Sequence, residues 1–256
     1  MSESSDRELR RWLQVPDGRP LPSWAERRLG ASHARDMRAR TGTPLEQVVF
    51  GIVDLETSGT SSDADRILEI GLVVQQQGRV RQRFATLADQ SAAVPASYPV
   101  LSGRSVAELE AEPGEEQAMA LFAAVLADHG VQVLVAHNAA FDRRFLERAW
   151  ERHALEVSLP PILCSLKLAR AWVSARTYSL DALVSQLGIS EQVRHRALGD
   201  AEMTAALWLE LLARGRQRGV FTLEALRDHC EPGRAPARKQ SRGRRVPPVD
   251  GSSTIR

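Results

Sequence analysis

Cysteine is nearly absent: Cys164 and Cys230 stand alone and far apart. Two thiols so placed form neither a disulfide framework nor a zinc spacing, which excludes a secreted disulfide scaffold and a structural zinc module. Long hydrophobic runs are also missing. No apolar stretch approaches the roughly 20 residues that a membrane-spanning helix requires. Met1 to Arg10 is polar and carries no apolar signal-peptide core, so a cytoplasmic protein with no membrane partner is expected. No segment repeats. What is present is ordinary for a packed domain: 43% hydrophobic and 26% charged residues in 256, enough for one sizeable core plus extensions.

Charge is close to balanced but unevenly placed. Residues 231–256 hold seven Lys/Arg against two acids, a net of +5, and residues 1–48 hold nine Arg against seven acids, a net of +2. Within a total of +2 this leaves −5 for residues 49–230. An acidic middle beside a basic tail suits a nucleic-acid enzyme, since acids hold divalent cations and a basic segment contacts phosphate.

Three parts are expected. Residues 1–45 read as a short helical N-terminal extension, with helices near Asp6 to Gln14 and Ser23 to Arg40 separated by Pro16, Gly18, Pro20 and Pro22. Residues 46–230 read as the main domain. Residues 231–256, rich in Pro, Gly, Ser and Arg, bury too little apolar surface to offset ordering entropy and read as a basic, disordered tail. Within the main domain, Val48 to Asp54 is an apolar run suited to a strand covered on both faces. Arg66 to Gln75 and Val80 to Leu87 read as strands joined by a turn at Gln77-Gly78. Gln117 to Ala127, Ala139 to His153, Ser165 to Ser174, Ser179 to Leu187 and Asp200 to Arg214 read as helices, with Val131 to Ala136 a further strand. The predicted class is α/β, a mixed sheet flanked by helices.

Asp54 and Glu56 end the first strand in VFGIVDLETSG. Residues two apart share a strand face, so both carboxylates project together. Two adjacent anions at the end of a buried element repel and are costly to desolvate, and a bound divalent cation answers both problems. Solvated loop acids are the bland alternative. Asp142, in VLVAHNAAFDRRFLERAW, begins a stripe continued by Phe145, Leu146, Ala149 and Trp150. Taken alone it could equally be an acid complementing a helix dipole. Asp200 begins a second such stripe through Thr204, Leu207, Trp208 and Leu211. His195 lies five residues before it, about 140° away on a continuous helix, so it belongs on the preceding loop, free to swing in beside Asp200. His33, His129, His153 and His229 read as structural or solvated, and so does His137, though it neighbours Asn138 and Asp142.

The order of these features is more specific than any one of them. An acid-x-acid ends a strand, an Asp opens a helix after a strand, and His-x4-Asp opens the last long helix. The segments VDLETSG, HNAAFD and HRALGDA, supported by LSGRS, LCSLKLAR and YSLDALVSQLGI, resemble the DEDDh group of 3′→5′ exonucleases, the DnaQ-like family. The resemblance runs from about Val48 to Leu212 and is nearest to the proofreading domains of DNA replication, the polymerase III epsilon and PolC types. It implies an RNase H-like fold and a metal-binding hydrolase of phosphodiester bonds. Asp54, Glu56, Asp142 and Asp200 would hold two Mg²⁺ or Mn²⁺ ions, and His195 would act as general base. Leu55, Thr57, Leu101, Asn138 and Phe141 would bind the terminal nucleotide. The expected partner is nucleic acid, DNA favoured over RNA, with a polymerase or repair complex as candidate protein partner. The chain departs from its relatives at Arg104, usually a branched apolar residue, and at Gly199, often Asp or Ala.

Two other functions are weighed. An RNA-trimming exonuclease of the oligoribonuclease or RNase T type would use the same five groups, because contacts to the 2′-hydroxyl lie elsewhere. A docking module for a polymerase or repair complex would use Trp12, Trp24 and Leu29, but the intact acids and His195 argue against a purely non-catalytic role.

Overall fold

In the computed structural model of this chain, residues 42–88, 112–155, 157–189 and 196–230 are described. The expected N-terminal helices, the segment containing Leu101 and Arg104, His195 and residues 231–256 lie outside them.

The central strand β1 (Phe50–Thr57) is flanked by β2 (Ile67–Gln76), antiparallel to it, and by β4 (Val133–Ala136), parallel to it. β3 (Arg79–Leu87) adds an antiparallel edge beyond β2. β5 (Ile162–Cys164) adds a parallel edge beyond β4. The order is β3-β2-β1-β4-β5, a mixed sheet as expected. Gln77 and Gly78 join β2 to β3 with positive φ at both positions, 53° and 74°, the backbone that a two-residue hairpin needs.

Side-chain alternation sorts the helices onto two faces. Val53 and Leu55 of β1, with Ile70, Leu72 and Val74 of β2, pack in one buried cluster against α1 (Glu115–Asp128) and α2 (Ala140–Arg152). Phe50 and Ile52, with Val73, Val133 and Val135, pack in the other. That second cluster holds α3 (Ser165–Trp172), α4 (Leu180–Gln186), α5 (Ala197–Gln217) and α6 (Leu223–Cys230). Trp208 of α5 is fully buried, edge-on to Phe50 at 5.5 Å between ring centroids. Ser179 caps α4, its hydroxyl accepting from the Ala182 amide at 3.4 Å.

Four elements differ from expectation. β1 continues to Thr57, so Asp54 and Glu56, expected at the strand's end, both pair within the ladder. α5 starts at Ala197, three residues ahead of Asp200. β5 and α6 were not anticipated. The first has three residues, too few for periodicity to show, and the second is a short helix closing the core with Leu223, Leu226 and Cys230. Among the described residues, no helix is long and apolar enough to cross a membrane.

Candidate active site

The carboxyl ends of the parallel strands β1 and β4 lie side by side, the usual place for a ligand crevice in an open α/β sheet. Strand alternation puts Leu55 into the α1/α2 core, 6% exposed, and sends Asp54 and Glu56 to the face that α5 covers. Their cross-strand partners on that face are Gly71 and Glu69. A β-bulge between Glu56 and Thr57 then ends regular pairing. The Thr57 hydroxyl donates to the Gly59 carbonyl at 2.6 Å. Asp65 accepts the Ser61 amide at 2.8 Å, which closes the loop back to β2.

Beyond β4, Asn138 turns the chain with a φ of 68°, and its carbonyl accepts the Phe141 amide at 3.0 Å. This turn launches α2 so that Asp142 falls in its first turn, 4% exposed and at the head of the apolar stripe. Phe141 leans on Phe145 at 4.9 Å, while Asn138 stays exposed. His137 braces the turn from below: Nε2 lies 3.0 Å from the Tyr178 carbonyl and Nδ1 3.0 Å from the Ser165 hydroxyl. A carbonyl only accepts, so Nε2 carries the proton. Burial holds the imidazole pKa below its ordinary value, which suits this neutral structural role. His153 approaches buried Glu115 at 3.0 Å, and His229 packs edge-on to Trp172.

The last element is α5. Asp200 sits in its first turn, its amide donating to the Arg196 carbonyl at 3.0 Å. Carboxylate oxygens of Asp54, Glu56 and Asp200 all lie within 4.8 Å of one another. Asp142 is near enough that its charge raises the Asp54 pKa.

Charge crowding marks the site. Burial, then Asp142, Asp200, Glu56 and Glu69, push the Asp54 pKa well above the carboxylate range. Burial, Asp200 and Glu69 raise Glu56 to about 7. Burial raises Asp142 to about 7 against a backbone hydrogen bond that lowers it. Such groups do not all ionise together near neutral pH unless positive charge joins them. The donors are all hard oxygens, close enough to share an ion, and their number and burial fit divalent cations of the Mg²⁺ type.

The structure thus brings together Asp54, Glu56 and Asp200, with Asp142 beside them. Leu55, Thr57, Asn138 and Phe141 frame the strand end and the α2 turn, whereas Leu101 and His195 lie outside the described residues. Glu69 was missed from sequence. It is 2% exposed, on the site's own face, and Arg196 approaches it with Nε 3.8 Å from Oε1. The available signal was one acid inside the otherwise apolar ILEIGLVV.

Comparison with known proteins agrees with this geometry. A family model described as Exonuclease, RNase_T, matches residues 52–208. The chain is 32% identical over 183 residues to a DNA polymerase III PolC-type protein of Thermotoga petrophila, covering 71% of this chain and 13% of that protein. It is 33% identical over 189 residues to a DNA polymerase III subunit epsilon-like protein of Rhodobacter capsulatus, covering 72% of this chain and 26% of the relative. The chain therefore spans well under a third of either relative's length. A solved structure of Exonuclease X in complex with 5′ overhanging duplex DNA superposes with a TM-score of 0.54 at 26% identity, covering 71% of this chain and 99% of that one.

Proposed function

The chain belongs to the exonuclease family whose model it matches over residues 52–208, and from that premise we propose that it shortens DNA from single-stranded or frayed 3′ ends. It hydrolyses the terminal phosphodiester and releases 5′-mononucleotides. The observation that carries this is the meeting of the Asp54, Glu56 and Asp200 carboxylates within 4.8 Å, contributed by β1 and α5, with Asp142 from α2 alongside.

Asp54, Glu56, Asp142 and Asp200 would hold two Mg²⁺ or Mn²⁺ ions. When bound, these supply positive charge to the phosphate oxygens and lower the pKa of the attacking water. The chain's own contribution is placement. β1 and α5 bring three carboxylates together, and the bulge after Glu56 ends the strand beside them. Thr57, Leu101, Asn138 and Phe141 shape the terminal nucleotide's pocket, whereas Leu55, its side chain buried in the α1/α2 core, offers only its backbone there. His195, just ahead of α5, takes the water's proton as general base. Attack at the last phosphorus breaks the bond to the preceding nucleotide's 3′ oxygen and leaves a 3′-hydroxyl.

We assign the activity to residues 46–230, with residues 1–45 as an accessory extension and residues 231–256 as a tail adding phosphate contacts. DNA is preferred because the PolC-type and epsilon-like relatives are named as polymerase proteins and Exonuclease X was solved with DNA. A replication or repair complex in the cytoplasm is the setting that agrees with those names. A time course on end-labelled DNA and RNA oligonucleotides, with and without EDTA, tests the assignment. Stepwise loss from the 3′ end of DNA, stopped by EDTA, is expected. Cleavage that persists in EDTA would refute the cation-dependent mechanism, and comparable rates on RNA would remove the preference for DNA.

A further inference from the structure

Arg196 stands where local helix energetics disfavour it. It is the N-cap residue of α5, with extended backbone (φ −132°, ψ 122°) and no side-chain cap hydrogen bond. Caps are normally Ser, Thr, Asp or Asn, and positive charge opposes the helix dipole at this end. Glu69 is equally out of place locally, an acid 2% exposed within an apolar strand and directly across the ladder from Glu56. The two misfits meet, Arg196 Nε lying 3.8 Å from Glu69 Oε1. Two residues along β2, Gly71 lies under the start of α5. A Cβ there would collide with the Ala197 carbonyl and the Leu198 amide. The first turn of α5 is thus seated on bare backbone at one point and tied by an ion pair at another. Asp200 hangs from the same turn through its amide bond to the Arg196 carbonyl.

We infer that Arg196 and Glu69 are positioning residues whose ion pair, with the bare backbone of Gly71, sets α5 at the height on β2 that brings Asp200 to Asp54 and Glu56. This rests on those three acids being the cation-holding groups. Neither Arg196 nor Glu69 need touch substrate or ion. Each acts through the location of Asp200, as residues behind metal ligands do elsewhere.

The sign of one measurement separates positioning from simple electrostatics. Arg196 is a cation near a cation site, so deleting its charge should tighten metal binding if charge were all it contributed. If it seats Asp200, deletion weakens binding. Mn²⁺ affinity is read by electron paramagnetic resonance on the full chain, with near-ultraviolet circular dichroism reporting the fold. Arg196→Gln is expected to bind Mn²⁺ about tenfold more weakly, with kcat falling and KM for DNA little changed. Affinity equal to or above the parent's in that variant overturns the inference. Arg196→Lys keeps a positive charge within reach of Glu69, and the pair is a single approach rather than a bidentate fork. It should stay within about threefold of the parent. A folded Lys variant that has lost tenfold or more overturns the inference as well, whether or not Arg196→Gln folds. Asp54→Ala serves as the reference: if it binds Mn²⁺ like the parent, the cation site itself is misassigned, a failure distinct from that of the ion pair.

Discussion

Glu56 of β1 pairs directly with Glu69 of β2, two acids face to face in an antiparallel ladder beside Asp54 and Asp200. Like charges in that relation destabilise a sheet, the more so when half or fully buried. The fold tolerates them because Arg196 lies against one, and a divalent cation would neutralise the other together with its neighbours. Acid crowding at the centre that would cleave phosphodiesters therefore works against the metal-free sheet, which leads to a test by pH.

Glu56 and Asp142 are raised to about 7, and Asp54 is raised well above its ordinary value. The folded protein then binds more protons than the unfolded chain between the ordinary carboxylate pKa and about 7, so raising pH through that window removes stability. In EDTA the melting temperature should fall from pH 5 to pH 8. Mg²⁺ should shrink the fall, and its addition near pH 6 should release protons. A metal-free melting temperature that climbs over the same range would contradict the crowding described here.

Asp54→Ala removes a carboxylate whose pKa is raised by burial and by its acidic neighbours. We expect kcat to drop by roughly three orders of magnitude, about 4 kcal/mol of barrier, while the metal-free protein melts no lower than the parent. Turnover at the parent rate would show that β1 does not carry the chemistry.

His195→Ala should lower kcat by about 10²–10⁴-fold, the usual contribution of a general base, and leave Mn²⁺ affinity near the parent's. The comparison needs both rate and binding on one preparation. An unchanged rate means that another group takes the proton.

Gly71→Ala places a methyl group against the Ala197 carbonyl and the Leu198 amide, where backbone rather than a flexible side chain must yield. About 1–3 kcal/mol of stability should be lost, measured by chemical denaturation, and activity should fall with it. A variant as stable and active as the parent would mean that α5 has freedom to shift without consequence.

Deleting residues 231–256 takes away seven basic residues. The salt dependence of DNA affinity should flatten and affinity should weaken, with kcat on saturating substrate retained. An identical salt slope in the shortened chain would exclude the tail from phosphate contact.

The acids proposed for the site were legible because each interrupts a regular pattern. Asp54 and Glu56 break an apolar strand on one face, and Asp142 and Asp200 begin apolar stripes on helices. The hairpin at Gln77-Gly78 and the Ser179 cap were legible for the same local reason: each residue type suits its own backbone. What escaped was non-local. Glu69 and Arg196 are individually unremarkable charges, and only folding shows them 3.8 Å apart. β5 hides because Ile162–Cys164 is short and its pairing partner, β4, lies a whole helix away in the chain. The early start of α5 at Ala197 escaped because Arg196 gives no capping signal.

Among the described residues, all five strands are finished by Cys164, yet Asp200 arrives only with α5. A nascent chain can complete its scaffold on the ribosome while still lacking one jaw of the cutting centre. On the proposed function, the cation site would be completed only when α5 docks, which follows from nothing more than the order in which the elements are made.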